Sequence, residues 1–130
     1  MILLDTHVAI WLAQDYQRIS PTARSKIEDA RRKEQGLAVS GITLLEIARL
    51  GSSGQSHLIP DAETVLAEFE RRFTVLPITA NIALQAYELP SSYPKDPADR
   101  IIGATALIGD LPLVTADAAI RKSRAVLTMW

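Results

Sequence analysis

The feature that most constrains the fold is an alternation of short apolar runs with helical segments along the 130 residues. The apolar runs are a few residues long and mostly lack polar alternation, which is typical of strands buried on both faces. They occupy residues 2–4, 37–39, 74–76, 113–115 and 126–128. Because helices that join parallel strands form right-handed crossovers, the pattern predicts an α/β fold, a three-layer α/β/α domain with a short-stranded, mostly parallel central sheet.

Capping residues predict where the intervening helices begin. Ser20 before Pro21 and Asp96 before Pro97 each combine a favoured N-cap with the residue favoured at the first helical position. With Asp61 and Thr79 as further caps, the predicted helices cover residues 21–35, 62–72, 80–89 and 97–110. The Gly- and Ser-containing segment 51–57 is predicted to be a loop tip, so residues 1–130 should form a single domain.

Composition excludes several classes of protein and of site. Hydrophobic residues are 48% and charged residues 22%, which predicts a globular protein with a proper core. The absence of cysteine excludes disulfide scaffolds, cysteine-ligated zinc and thiol nucleophiles, and fits a cytoplasmic protein. No apolar stretch approaches the roughly 20 residues that cross a bilayer, and no export signal is visible, so we expect no membrane association. A formal charge of −1 gives no general case for nucleic-acid binding.

Two acidic residues follow strands of the predicted sheet. Asp5 comes directly after the first strand, and Asp117 lies two residues beyond Thr115 at the end of another. Ligands of open α/β sheets bind outside the carboxyl ends of the strands. Two carboxylates brought together there would repel each other, so their convergence requires raised pKa values or a cation. The alternative is that each Asp simply caps the helix that follows it.

Asp99 is the third acidic residue that is a candidate for the site. Residues 101–108 are almost entirely apolar or small on every side, which predicts a buried helix. Gly103 and Ala106 lie on the same helix face as Asp99 and predict open space beside its carboxylate. The alternative is an acid in the first turn that complements the helix dipole.

Glu46 lies within the apolar helical segment between Ile42 and Leu50. Charged groups are rarely buried there unless they are paired or bind a metal, so Glu46 is a fourth candidate. A local ion pair with Arg49 is the alternative, because residues three apart are neighbours on a helix surface.

Four acids on four separate elements could therefore gather at one end of the sheet: Asp5, Glu46, Asp99 and Asp117. Hard oxygen ligands, without cysteine or a well-placed histidine, select Mg²⁺ or Mn²⁺. Such ions share their coordination shell with water and substrate phosphate, so the implied chemistry is phosphodiester hydrolysis assisted by one or two metal ions. His7, beside the first acid, is expected at the helix surface or the pocket rim and not as a ligand.

The four acids lie in four segments whose sequences are similar to those of a known family: LLDTHVAIW, SGITLLEIARL, DPADRIIGATAL and LPLVTADAAI. In order and separation they resemble the acidic motifs of PIN domains, specifically of the VapC-type toxins of bacterial toxin–antitoxin pairs. The resemblance implies that Asp5, Glu46, Asp99 and Asp117 are catalytic and bind the metal, with Thr115 as the accompanying hydroxyl residue. It also implies a Mg²⁺- or Mn²⁺-dependent ribonuclease that is inhibited by a cognate antitoxin and forms a homodimer.

The substrate is the least defined part of this interpretation. Many relatives carry histidine just before DPxDR, where this chain has Tyr93, Pro94 and Lys95, so their substrate preferences do not transfer. For an RNA such as tRNA or another structured RNA, Lys95 and Arg100 are candidate phosphate contacts, although Arg100 could equally orient a carboxylate or lie at the surface. The few aromatic residues form no base-stacking array in the sequence, so substrate shape and backbone placement are expected to set specificity.

Two other function classes remain open from the residues alone. One is a different metal-dependent phosphoryl-transfer hydrolase, such as a phosphatase with Asp5 as a covalent nucleophile, although His7 stands where a DxD pair would need its second Asp. The other is a catalytically inactive protein-binding module in which the acids serve as caps. A nucleotide cofactor is not expected, because no G-x-G-x-x-G follows the first strand.

Overall fold

Five short strands form one sheet in which every neighbouring pair is parallel. The protein is described by a computed structural model for residues 1–52 and 61–130. Its strands are β1 (Ile2–Leu4), β2 (Leu37–Ser40), β3 (Thr74–Leu76), β4 (Leu113–Val114) and β5 (Thr128–Met129). The strand order is β3-β2-β1-β4-β5, with β1 at the centre. The predicted mostly parallel α/β sheet is therefore confirmed.

Four helices begin at the caps that the sequence predicts. Within the described residues the helices are α1 (Thr6–Gln14), α2 (Pro21–Arg32), α3 (Gly41–Ser52), α4 (Ala62–Arg72), α5 (Ala80–Glu88), α6 (Pro97–Gly109) and α7 (Ala118–Ser123). Side chains of Ser20, Asp61, Thr79 and Asp96 accept hydrogen bonds from backbone N–H groups in the first turns. Helices α2, α5 and α6 end one to three residues earlier than predicted. Gly36, with φ of +87°, lets the chain turn from α2 into β2.

Successive side chains of β1 point into the two cores on opposite faces of the sheet. Ile2 and Leu4 face a core formed with α1, α2, α3 and α4, whereas Leu3 faces the opposite core, to which α6 and α7 contribute. Helix α5 packs on α6 outside this second core. Because both faces of the sheet are covered, its strands need no polar alternation, and the predicted three-layer arrangement is confirmed.

The predicted loop tip and the last predicted strand also differ from the structure or leave its described range. Gly51 and Ser52 belong to α3, while residues 53–57 of the predicted loop lie outside the described residues. The last strand is Thr128–Met129 instead of 126–128, because Val126 packs into the core before the strand begins. In the described part of the chain, no helix has the length and apolar character that crossing a membrane requires.

Candidate active site

Parallel pairing of β1 with β4 brings the first and last acids to the same edge of the sheet. Leu4 is in register with Val114, and the Asp5 N–H donates to the Val114 carbonyl at 3.0 Å. A pocket of about 420 Å³ opens there. Its acidic lining consists of Asp5, Glu46, Asp96, Asp99 and Asp117. The structure thus brings the four predicted acids to one pocket, together with a fifth acid that the sequence analysis treated only as a cap.

Asp5 is buried, and both of its carboxylate oxygens have a donor. Oδ1 accepts from the backbone N–H of Thr6 at 2.9 Å, and Oδ2 accepts from Thr115 Oγ1 at 2.7 Å. Burial raises the pKa of Asp5, and the hydrogen bond from Thr115 acts in the opposite direction. Asp5 therefore caps α1 and lines the pocket at the same time, so the two interpretations offered for it are compatible.

Asp117, like Asp5, both caps a helix and lines the pocket. Its Oδ1 accepts from the Ile120 N–H at 3.0 Å and so caps α7, while its own N–H donates to Thr115 Oγ1 at 3.1 Å. Thr115 is fully buried, donates to Asp5 and accepts from Asp117. One threonine hydroxyl therefore links the acids that follow β1 and β4.

Glu46 is held by a pair of buried threonines. Thr6 Oγ1 donates to Glu46 Oε1 at 2.5 Å and lies 2.9 Å from Thr43 Oγ1. Burial is the main cause that raises the pKa of Glu46, and the negative charges of Asp5 and Asp96 add to it. Thr6 therefore connects the start of α1 to the acid on α3, a contact that joins residues 40 positions apart.

Asp99 has the most perturbed carboxyl group of the site. Burial, followed by the charges of Asp5, Asp96, Asp117 and Glu46, raises its pKa to about 7. Its backbone N–H donates to Asp96 Oδ2 at 3.0 Å, so Asp96 caps α6 and fixes the turn that carries Asp99. A carboxyl group with this pKa is one that is removed from water first and surrounded by negative charge second.

This donor set suits a divalent cation of the magnesium type. All the polar side chains of the pocket except His7 are carboxylates, and oxygen donors are the ligands that Mg²⁺ and Mn²⁺ prefer. Across residues 1–52 and 61–130, no three His, Asp or Glu groups stand close enough together to hold an ion in their present conformers. Water and substrate phosphate would complete the coordination shell of an ion held here.

Asp99 lines the acidic pocket, but the prediction that Gly103 leaves open space beside it is wrong. A Cβ added to Gly103 would lie 2.3 Å from the Tyr93 hydroxyl oxygen, because the Tyr93 ring packs against this glycine. Tyr93 is fully buried and donates to the Asp99 carbonyl at 2.9 Å. The small residue makes room for an aromatic ring from the preceding segment, and Ala106 is buried in the same core.

Arg100 and Lys95 lie apart from the carboxylates. The Arg100 guanidinium donates to backbone carbonyls of α5 and of the segment that joins α5 to α6, namely those of Ala86, Leu89, Tyr93 and Pro94. These contacts favour a role in holding the α5–α6 connection over the predicted contact with phosphate. Lys95 and Arg100 line a separate groove of about 650 Å³ together with apolar residues such as Ile78 and Tyr87. That groove is larger than the acidic pocket, but no carboxylate of the described residues lines it.

Sequence reasoning missed part of the pocket. Trp11 lines it along with His7 and Ala116, and the expected rim position of the exposed His7 is confirmed. The spacing of His7 and Trp11 could have indicated this, because residues four apart share a helix face and this face follows directly after Asp5. The roles of Thr6 and Thr43 had no comparable signal, since only the fold brings α3 beside α1.

Comparison with known proteins places this arrangement in a family. The family model described as PIN domain matches residues 2–125. The chain belongs to the PIN domain family. A curated relative, Ribonuclease VapC22 of Mycobacterium tuberculosis, is 37% identical over 131 aligned positions, covering 99% of this PIN domain and 98% of the relative.

Solved structures share the fold of this PIN domain. One is VapBC2 from Rickettsia felis bound to a promoter DNA fragment, with a TM-score of 0.71, 19% identity and coverage of 98% of this chain and 97% of the other. Another is DNA-bound VapBC from Salmonella typhimurium, with a TM-score of 0.72, 20% identity and the same coverage. At these identities the likeness concerns the fold.

Proposed function

We propose that this PIN domain is a metal-dependent endoribonuclease that hydrolyses RNA phosphodiester bonds as the toxin of a toxin–antitoxin pair. The observation that carries the proposal is the convergence of Asp5, Glu46, Asp99 and Asp117, from four separate elements, on one pocket. The raised pKa of Asp99, caused by burial and the neighbouring acids, supports a site that holds a cation. The curated relative, which matches nearly the whole chain, is named a ribonuclease.

The four carboxylates would hold Mg²⁺ or Mn²⁺, as one ion or two. When bound, the metal would supply an acidified water and neutralise charge on the phosphate. Hydroxyl groups of the chain orient two of the carboxylates: Thr115 donates to Asp5, and Thr6 donates to Glu46. Such hydrogen bonds fix the orientation of a ligand before the metal arrives, so less conformational entropy is lost on binding.

The partners follow from the same proposal. The substrate is RNA, such as tRNA or another structured RNA, and the cognate antitoxin would inhibit the enzyme in the cytoplasm. Solved structures that share this fold include VapBC complexes, which supports a protein partner. A homodimer is supported by exposed apolar side chains on α5, where Leu84 is 57% and Tyr87 85% exposed. Sedimentation of wild type and Tyr87→Glu tests it, and a monomeric wild type contradicts it.

The experiment that tests the activity maps cleavage products of total RNA with Mn²⁺, in the wild type and in Asp99→Asn. Loss of one charged ligand should lower the rate by at least about 100-fold, because metal ligands act as a unit. The matched control is Asp110→Asn, at the exposed C-terminal end of the same helix, where φ of +51° suits Asn equally well. Asp110→Asn should cleave like wild type.

A second measurement separates loss of chemistry from loss of fold. Mn²⁺ should raise the melting temperature of the wild type and of Asp110→Asn, but much less that of Asp99→Asn, because a ligand bound only by the native state stabilises it. Undiminished cleavage by a folded Asp99→Asn variant, or in excess chelator, contradicts the proposed function. Trimming of RNA from its 5′ end without internal cuts contradicts the proposal that the enzyme is an endonuclease.

A further inference from the structure

The acidic pocket has a second, aromatic lining that the metal chemistry does not use. His7 and Trp11 both line it, on successive turns of the helix that begins directly after Asp5. Their ring centroids are 6.0 Å apart with the planes tilted by 49°. His7 is exposed, and Trp11 is only partly buried. Two ring systems therefore lie on the first two helical turns that follow a carboxylate proposed to bind the metal.

The Trp11 ring is fixed by its neighbours. Part of it packs against the core under α1, and the Trp130 ring lies 6.1 Å away at a tilt of 53°. The Arg18 guanidinium carbon lies 4.6 Å from the Trp11 ring centroid, a cation–π contact. A ring held on several sides loses little freedom when a ligand stacks on it.

Carboxylates and aromatic rings side by side match the two parts of a nucleotide. The phosphate is drawn to a cation among the carboxylates, whereas the base is a flat ring that stacks on aromatic side chains. A site that held only metal and phosphate would gain nothing from exposed rings. The pocket volume of about 420 Å³ gives the rings and the acids one shared space.

We propose that His7 and Trp11 form a nucleobase subsite, at which the base of a nucleotide next to the scissile phosphate stacks while the carboxylates engage that phosphate. This subsite rests on the proposed ribonuclease function and narrows its substrate. Because a paired base is stacked within its own helix, the subsite selects an unpaired nucleotide, and because every base has a π face, it tolerates different bases.

The test compares two probes with the same number of phosphates: hexa-adenylate and a ribose–phosphate hexamer without bases. Affinity is measured in Ca²⁺ from the anisotropy of end-labelled hexamers, which does not require an indole, and recovery of intact probe verifies that cleavage is absent. Emission is measured in the Trp130→Phe protein, in which Trp11 is the single indole. Hexa-adenylate should quench the Trp11 emission and bind at least about fivefold more tightly than the abasic hexamer. Equal affinity for the two hexamers overturns the subsite.

Substitutions identify which rings cause the preference for hexa-adenylate over the abasic hexamer. The preference for hexa-adenylate should fall in His7→Ala and in Trp11→Leu, and should be retained in Trp11→Phe. The matched control is Tyr16→Ala, because Tyr16 also carries an arginine over its ring, with Arg24 at 5.0 Å, yet does not line the pocket. An unchanged preference in folded His7→Ala and Trp11→Leu overturns the assignment.

A folding defect in the variants cannot be mistaken for loss of the nucleobase subsite. His7 is exposed, so His7→Ala is expected to fold, and the abasic probe tests the wild-type rings without any substitution. Failure of both hexamers to bind also overturns the subsite. The metal-dependent cleavage of total RNA then shows what else fails: if it persists, only the subsite is lost, and if it is absent, the ribonuclease proposal is lost as well.

Discussion

The Thr6 hydroxyl donates to Glu46 Oε1 at 2.5 Å, which joins the residue after the first acid of the pocket to the acid on α3. Thr6 Oγ1 also lies 2.9 Å from Thr43 Oγ1, and both threonines are buried. A hydroxyl group has one proton, so when Glu46 is ionised Thr6 donates to it and Thr43 must donate to Thr6. The three groups therefore form a directed chain that favours ionised Glu46.

Thr6→Val should weaken metal binding while keeping the shape of the side chain. Glu46 would lose the hydrogen bond that opposes the rise of its pKa, and its orientation would no longer be fixed. Loss of such a supporting contact costs roughly 10- to 100-fold in metal affinity or activity. The measurement is the Mn²⁺ concentration at half-maximal cleavage, which should rise by about that factor.

Two further variants test the direction of the chain of hydroxyl groups. Thr6→Ser keeps the donor and should behave like wild type. Thr43→Val leaves the Thr6 proton directed at Glu46, so its effect should be smaller than that of Thr6→Val. A wild-type metal dependence of Thr6→Val would show that Glu46 does not need this donor.

The metal-free protein should lose stability as the pH rises from about 4 to about 7. The ordinary pKa of an Asp carboxyl is 3.8, and burial and neighbouring acids raise that of Asp99 to about 7. Between these values the folded state holds a proton that the unfolded state releases, so the free energy of unfolding falls with increasing pH. The pKa values of Asp5 and Glu46 are raised as well and act in the same direction.

Urea unfolding at several pH values in excess chelator measures this slope. Asp99→Asn removes the largest of these titrations, so its stability should depend less on pH than that of the wild type. Added Mn²⁺ competes with protons for the carboxylates and should therefore stabilise the wild type more near pH 7.5 than near pH 5.5. Equal slopes for the two proteins would mean that Asp99 titrates normally.

The sequence allowed the prediction of features that depend on chain order and local pattern. Asp5 and Asp117 follow strands, and a parallel sheet must place their positions at one edge. The caps at Ser20 and Asp96 are local signals that the structure confirms. These predictions succeeded because each required only the element that carries the residue and the direction of its strand.

Features that depend on neighbours from elsewhere in the chain were not predictable in this way. Gly103 was expected to border open space, but the side chain that fills the space comes from Tyr93, in a segment without regular secondary structure. The pairing of Thr6 with Glu46 likewise requires the packing of α1 beside α3. Periodicity shows which face of a helix is buried but not which side chain meets it.

Gly103→Ala should destabilise the protein although alanine favours helices. Its Cβ would lie 2.3 Å from the Tyr93 oxygen, and Tyr93 is fully buried, so the ring has no free space to enter. Overpacking of this kind costs about 1–3 kcal/mol, which outweighs the gain of up to about 1 kcal/mol in helix propensity. Thermal or urea unfolding measures the difference.

The control for this substitution is another helical glycine. A Cβ at Gly41, the first residue of α3, would make an ordinary contact at 3.5 Å with the Leu76 carbonyl, so Gly41→Ala should be neutral or slightly stabilising. Replacing Tyr93 by Leu in the Gly103→Ala background should recover part of the loss, since the colliding hydroxyl and ring atoms are removed. A stable Gly103→Ala single variant would contradict the tight packing of Tyr93.

Arg100→Met should reduce stability without changing how RNA binding depends on salt. The guanidinium donates to carbonyls at the end of α5 and in the following segment, including Leu89 at 2.6 Å and Ala86 at 2.9 Å. Removing a charged donor from several carbonyls costs at least about 2 kcal/mol. A residue that contacts phosphate would instead lower the slope of log affinity against log salt by about 1 when it is removed.

Lys95→Met is the matched comparison, because it also removes one positive charge but lies at an exposed position of the same segment. Its effect on the free energy of unfolding should stay within about 0.5 kcal/mol. If Lys95 contacts phosphate, as the sequence analysis proposes, only this variant lowers the salt slope. A lower slope in Arg100→Met with unchanged stability would instead make Arg100 the residue that binds RNA, and would require its guanidinium to leave the carbonyls of α5.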